Sequence, residues 1–220
     1  MADGCHVLPD MGDVFVVNVV QVADDRISLQ ARWMMTCIVG LKHNRNIIIG
    51  ADSAGSNNGF ISDSGIEKIF SKNDYLIAYT TSFRMGQLLH HKIQLPTPPK
   101  TLTIEFMVNE FVESIRTGFK DYGFSEVNNN VETGGNFIVG VMGHLFEIYN
   151  DYQVNEVDDF VCCGSGMYYA YGAMEALKDE PPITRIKNSI KIAEKYNPFV
   201  RSPVKIRCIN FASEVDDENI

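Results

Sequence analysis

The order of elements readable in this sequence predicts an α+β fold, a four-layer α-β-β-α sandwich in which two antiparallel sheets pack together between helix pairs. β-rich runs come in groups and helical stretches come in pairs. The order is four strands, two helices, a hairpin with one more strand, two helices and a last strand. Alternating βαβ winding would need single helices between parallel strands, so helix pairs between strand groups point to stacked sheets instead. The chain has 220 residues, 45% hydrophobic and 21% charged, which suits one domain with a substantial core.

Each element has its own signal. "TCIVGLK" and "RNIIIGADS" are β-rich runs joined by "HNRN", a hairpin turn. "SAGSNNGFISDSG" reads as a loop. "IEKIFSKND" and "YLIAYTTS" form a second strand pair with Asn73-Asp74 at the turn. Met85, Leu88, Leu89 and Ile93 give Phe83 to Ile93 helical spacing, and "LPTPPK" interrupts it. Thr101 to Phe119 is the clearest helix, its stripe running through Leu102, Phe106, Met107 or Val108, Phe111, Val112, Ile115 and Phe119. "DYGFSEVNNNVETGG" reads as loop. "NFIVGVMGHLFEIYND" is a hairpin turning at Met142-Gly143-His144, and "FVCCGSG" is a strand ending in a glycine turn. Met167 to Leu177 and Ile183 to Tyr196 read as helices separated by "DEPP". "VKIRCINF" closes the chain as a strand, before the acidic tail.

Charge and cysteine usage narrow the function classes. The formal net charge of −9 gives a surface that repels phosphates and argues against nucleic-acid binding. No apolar run approaches the ~18 residues of a membrane span. The valine-rich run Val14 to Val22 lacks the basic flank and cleavage site of a secretory signal. Cys5, Cys37, Cys162, Cys163 and Cys208 are odd in number and form no CxxC pair, and the histidines show no zinc spacing. Reduced cysteines in a cytoplasmic protein without a metal or other cofactor are the expectation. His90 and His91 are neighbours on a helix and are expected to point to different faces.

Two charges interrupt core-like segments. Asp52 follows "IIIGA" at the end of a buried-looking strand, and Lys68 lies between apolar residues in "GIEKIF". A buried carboxylate needs a partner, and Lys68 could supply it. A structural ion pair is one meaning of that pairing; a catalytic one is the other. In "WMMTCIVG", Thr36 stands at the head of a strand directly after Met35.

From Met35 onward the sequence resembles the proteasome β-type subunits and HslV, which are N-terminal nucleophile (Ntn) hydrolases. "MTCIVGLKHNRNIIIGADS" is similar to the family's opening, with Asp52 sixteen and Lys68 thirty-two positions after Thr36, the family's offsets for acid and lysine. "VCCGSGMYYAYGAMEAL" is similar to its Gly-Ser-Gly strand-to-helix turn, with Ser165 on the family serine. The resemblance runs over about residues 35–210. It implies a threonine-type endopeptidase for intracellular protein degradation. Thr36 would be the nucleophile, with its own α-amine, of pKa about 8, as base. Lys68 would place positive charge beside the hydroxyl, Asp52 would orient Lys68, and Ser165 would order the amine. Backbone N–H groups of the turn at Thr81 and Ser82 would meet the oxyanion. The implied partners are a peptide or unfolded-protein substrate and further copies in a homo-oligomeric ring, with room for an ATP-driven unfoldase.

Two stretches depart from the family pattern. Ser82 or its neighbour stands where the family often has glycine, a problem if the backbone there needs positive φ. The late Asp-x-x-Ser pair is absent, and Glu194 or Lys195 in "AEKYNPFVRS" falls at the aspartate's place. An N-terminal threonine also requires that residues 1–35 be absent from the mature chain. Either translation starts at Met35, which is then removed, or 1–35 are a propeptide cut after Met35; the first route is preferred. The domain expected is 36–212, followed by an acidic tail, 213–220. A non-catalytic structural subunit of the same fold and an Ntn amidohydrolase for small amides are the alternatives. Cys37 is a weaker nucleophile, being one residue off the spacing and so on the opposite strand face.

Overall fold

The computed structural model describes residues 36–57, 60–63 and 65–211. Met35, the remainder of the 1–35 extension and the 213–220 tail lie outside them.

Two antiparallel sheets form the centre. The first has the order β12-β1-β2-β13, where β1 is Ile38–His43, β2 Asn46–Ala51, β12 Phe160–Cys163 and β13 Lys205–Asn210. The second has the order β11-β10-β9-β6-β5, with β5 Ile69–Lys72, β6 Tyr75–Tyr79, β9 Phe137–Val141, β10 His144–Ile148 and β11 Val154–Val157. The expected turns form. Asn44 and Asn73 take positive φ, as do Met142 and Gly143, and the last two make a two-residue hairpin loop that closes on the Val141–His144 pair. His144 therefore opens β10 instead of sitting in the turn.

Strand alternation builds three core layers. Ile38, Ile47, Ile49 and Ala51 of the first sheet meet Leu76, Ala78, Ile138 and Leu145 of the second. The alternate residues face outward to helices. Val39, Leu41 and Ile48 pack with Ala170, Met174, Ile186 and Ile190 of α3 (Met167–Ala176) and α4 (Pro182–Tyr196). Tyr75, Ile77, Phe137 and Val139 pack with α1 (Phe83–His91) and α2 (residues 104–121). Both sheets are thus apolar on both faces, which is the condition for four layers.

The long helix α2 departs from the regular pattern. Thr103 caps it, accepting from the Phe106 N–H at 3.3 Å. Residues Met107–Val112 are π-helical between α-helical Ile104–Phe106 and Glu113–Asp121. Phe106/Phe111 and Met107/Val112 are each five apart, a spacing an α-helix would splay and an i→i+5 turn brings to one side. All four are buried, whereas Val108 is 45% exposed, so Met107 carries the stripe.

Three expectations need correction. The "SAGSNNGFISDSG" stretch contains a hairpin, β3 (Ala54–Asn57) with β4 (Phe60–Asp63). Glu126–Asn128 (β7) and Val131–Thr133 (β8) form another hairpin within the presumed loop after α2. In the sequence, Asn57-Asn58-Gly59 in the first and Asn128-Asn129-Asn130 in the second read as turns, which hides the short strands on either side. His90 and His91 do not diverge: their rings stack on each other at 4.1 Å, and His90 stacks on Phe70 at 4.4 Å.

Candidate active site

Three residues next to strand ends converge at one end of the sheets. Thr36 comes two residues before β1, Asp52 directly follows β2, and the Ile38–Ala51 pairing puts them side by side. Lys68 directly precedes β5, and its carbonyl accepts the Tyr79 N–H at 3.1 Å. All three are buried.

Their side chains are hydrogen-bonded to one another. Lys68 Nζ donates to Thr36 Oγ1 and, at 2.7 Å, to Asp52 Oδ1. Thr36 Oγ1 lies 3.1 Å from the same carboxylate oxygen. Asp52 is held on every side: Oδ1 also accepts the Cys37 N–H at 3.0 Å, and Oδ2 accepts those of Ala54 at 3.0 Å and Arg201 at 3.3 Å. Five donors on one buried carboxylate fix its place. Burial pulls the Lys68 ammonium below the ordinary lysine range, and Asp52 offsets this only in part. A lysine of reduced basicity touching a hydroxyl can polarise it or relay its proton.

The Gly-Ser-Gly turn adds the fourth member. Ser165 Oγ accepts the Thr36 N–H at 3.3 Å and lies 3.4 Å from the Thr36 carbonyl oxygen, to which it can donate. Gly164 has φ of +95°, and a Cβ on it would stand 2.3 Å from that carbonyl oxygen. Only glycine lets the turn come so close. The Gly166 N–H then donates to the Thr36 carbonyl at 3.1 Å.

Thr81 and Ser82 lie in the turn between β6 and α1, and neither hydrogen-bonds to Thr36 among the described residues. Thr81 Oγ1 accepts the Asn136 N–H at 3.0 Å, and Thr80 donates to the Asn136 carbonyl, so the turn is anchored to the residue before β9. Ser82 has φ of −151° and caps α1, accepting the Arg84 N–H at 3.1 Å. The backbone makes no demand for glycine there, so the feared strain is absent.

Cys37 Sγ points away from this cluster. Its residue belongs to the core beneath α3 and α4, and burial pushes the thiol well above its usual range. Cys162 and Cys163 are likewise buried and free, and burial holds Cys163 up to about 12. No group of three or more His, Cys, Asp or Glu side chains among the described residues could hold a metal ion.

Sequence reasoning missed Asn197 and the main-chain donors of Ala54 and Arg201. Asn197 Nδ2 donates to the Ser165 carbonyl at 2.8 Å. Its position before Pro198 reads only as a helix stop, which hides the contact. Glu194 and Lys195, the residues at the expected aspartate's place, turn elsewhere: Glu194 accepts from Ser202, and the Lys195 ammonium lies over the Tyr196 ring at 5.3 Å.

No protein-family model matches the chain, and no curated protein matches it. Solved structures match it in fold. BPH from Thiobacillus denitrificans aligns with TM-score 0.70 at 20% identity, covering 81% of this chain and 100% of that one. The same protein in complex with epoxomicin gives 0.69 at 20%, over 80% of this chain and 100% of that one. HslV from Trypanosoma brucei gives 0.57 at 16%, over 80% of this chain and 99% of that one. The fold is therefore that of the proteasome β-type and HslV-like Ntn hydrolases, the class the sequence resembles.

Proposed function

We propose that this chain is a threonine-type endopeptidase of the proteasome β/HslV kind, with Thr36 as its mature N-terminal residue. The observation that carries the reading is the shared contact at Thr36: its hydroxyl meets both Lys68 and Asp52, and its nitrogen meets Ser165. That nitrogen is a peptide nitrogen in the structure and stands in for the α-amine that removal of residues 1–35, ending at Met35, would free.

The chemistry follows from the geometry. A threonine hydroxyl is a weak nucleophile and needs a base within reach. The free α-amine takes the hydroxyl proton, directly or through a water, while the Lys68 charge lowers the cost of forming the alkoxide. Asp52 holds Lys68 in line, and Ser165 holds the amine. Oγ1 attacks the peptide carbonyl carbon, and the oxyanion is received by backbone N–H groups of the Thr81-Ser82 turn. Collapse expels the amine half of the substrate, which takes the proton, and leaves an ester on Thr36. Water, deprotonated by the same amine, hydrolyses it.

The substrate class is a peptide or unfolded protein in the cytoplasm, and the working form is a homo-oligomeric ring that an ATP-driven unfoldase could feed. Among the described residues no helix is long and apolar enough to cross a membrane. The test is peptide hydrolysis by the wild-type protein and by Thr36→Ala. Loss of all turnover in a variant that still folds and assembles supports the reading. Equal turnover by Thr36→Ala would remove it. A wild type that assembles but hydrolyses neither peptides nor small amides would instead be the non-catalytic subunit.

A further inference from the structure

We propose that Asn197 is a positioning residue for the Thr36 centre: the loop it opens, residues 197–203, ties the Ser165 turn to the Asp52 carboxylate and sets where the Ser165 hydroxyl meets the Thr36 nitrogen. The proposal rests on the reading of Thr36 as an N-terminal nucleophile.

Asn197 ends α4, donating its own N–H to the Ala193 carbonyl at 2.8 Å. It is only 8% exposed, and both ends of its amide are used. Nδ2 donates to the Ser165 carbonyl at 2.8 Å, and Oδ1 accepts the Phe199 N–H at 2.9 Å. A buried amide bonded at both ends has one orientation, because flipping it would leave both partners facing a like group. Four residues on, the Arg201 N–H donates to Asp52 Oδ2, and the Arg201 carbonyl accepts the Ser53 N–H at 2.9 Å. Glu194 fastens the far end of the loop, accepting the N–H of Ser202 at 2.8 Å and its hydroxyl at 2.6 Å.

One loop thus reaches two members of the centre that are distant in sequence. The Ser165 carbonyl and hydroxyl belong to one residue, so holding the carbonyl restrains the hydroxyl that lies 3.3 Å from the Thr36 nitrogen. Where an Asp-x-x-Ser pair was expected, this chain uses a neutral amide acting through the main chain. Among the described residues, the charged and titratable groups near that nitrogen include Asp52 and Lys68, the buried thiols of Cys37 and Cys163, and Arg201, whose N–H donates to Asp52 and whose guanidinium donates to the Val200 carbonyl.

The direction of the effect can be derived. An acceptor on the amine favours its charged form, so releasing Ser165 lowers the amine's pKa. The acidic limb of the rate profile then moves to lower pH while turnover falls, because the amine is no longer aimed. The test measures kcat, KM and the pH profile for mature wild type, Asn197→Ala and Asn197→Asp. Asn197→Asp keeps the volume and the acceptor for Phe199 but loses the donor to Ser165. Its added charge itself favours the charged amine, so the limb shift is read from Asn197→Ala alone. If Asn197→Ala does not fold, the fall in kcat at unchanged KM in Asn197→Asp carries the test. The expected result is kcat lower by about ten- to a hundredfold with KM nearly unchanged and the acidic limb shifted down. A folded variant with unchanged kcat and pH profile overturns the proposal. So does activity that falls only in step with the folded fraction. An inactive wild type would instead overturn the function proposed for Thr36.

Discussion

Asp52 and Lys68 each lie within a nearly closed environment, their side chains 0% and 4% exposed, so neither charge can be removed cheaply. Asp52→Ala leaves the Lys68 ammonium buried without its carboxylate. Breaking such a pair costs about 3–5 kcal/mol, and denaturant unfolding should show a loss on that scale together with loss of activity. Lys68→Ala should spare more stability, since Asp52 keeps its main-chain donors, yet abolish turnover. The depressed basicity of Lys68 also sets a pH dependence. In the proposed mechanism the ammonium, charged below its pKa, would assist the alkoxide, and above it the charge and the assistance would be lost. The alkaline limb of kcat should therefore fall below the ordinary lysine value of 10.5, and a rate that holds level through that pH would contradict the role given to Lys68.

Among the elements, the Gly164-Ser165-Gly166 turn tolerates little change, since a Cβ on Gly164 or Gly166 would stand 2.3 or 2.7 Å from its nearest neighbour. Gly164→Ala combines an unfavourable φ with a side chain driven into the Thr36 carbonyl. Strain of this kind costs about 1–3 kcal/mol and should lower the melting temperature by several degrees in a domain this size. Displacement of Ser165 should lower turnover more than a stability loss of that size explains. The apolar elements were legible in sequence because each leaves an imprint. β1, β2, β6 and β9 are predominantly apolar and carry the runs 47–49 and 137–139, and α1 and α4 show regular stripes. The hairpins β3-β4 and β7-β8 leave none, the first being rich in Asn, Ser and Gly and the second built of three-residue strands around three asparagines, and Val154–Val157 is too short and polar to stand out. The π-helical stretch of α2 appears only as a choice between Met107 and Val108 that spacing alone does not decide.

At the scale of the whole molecule, the site depends on contacts that no linear motif records. Thr36, Asp52 and Lys68 could be picked out because fixed offsets and core-breaking charges mark them. Asn197, Ala54 and Arg201 could not: Asn197 and Arg201 act through a side-chain amide and a main-chain N–H placed by the end of α4 and the loop after it, and Ala54 through a main-chain N–H two residues after Asp52. The packing, apolar on both faces of both sheets, gives four layers with the site at the strand ends. If the working form is a homo-oligomeric ring, native mass measurement should give a closed multiple of the processed subunit, and Thr36→Ala should still reach it. A monomer at working concentration would remove the ring from the account.

The central claim is that Thr36 is a free N-terminal nucleophile. Intact-mass analysis of the purified protein before and after an epoxyketone tests it most directly, because the probe's two electrophilic carbons call for a hydroxyl and a neighbouring free amine. The account predicts a chain beginning at Thr36 that gains one probe mass, with the adduct mapped to Thr36 and absent from Thr36→Ala. A chain that retains Met35 and takes up no probe would contradict it.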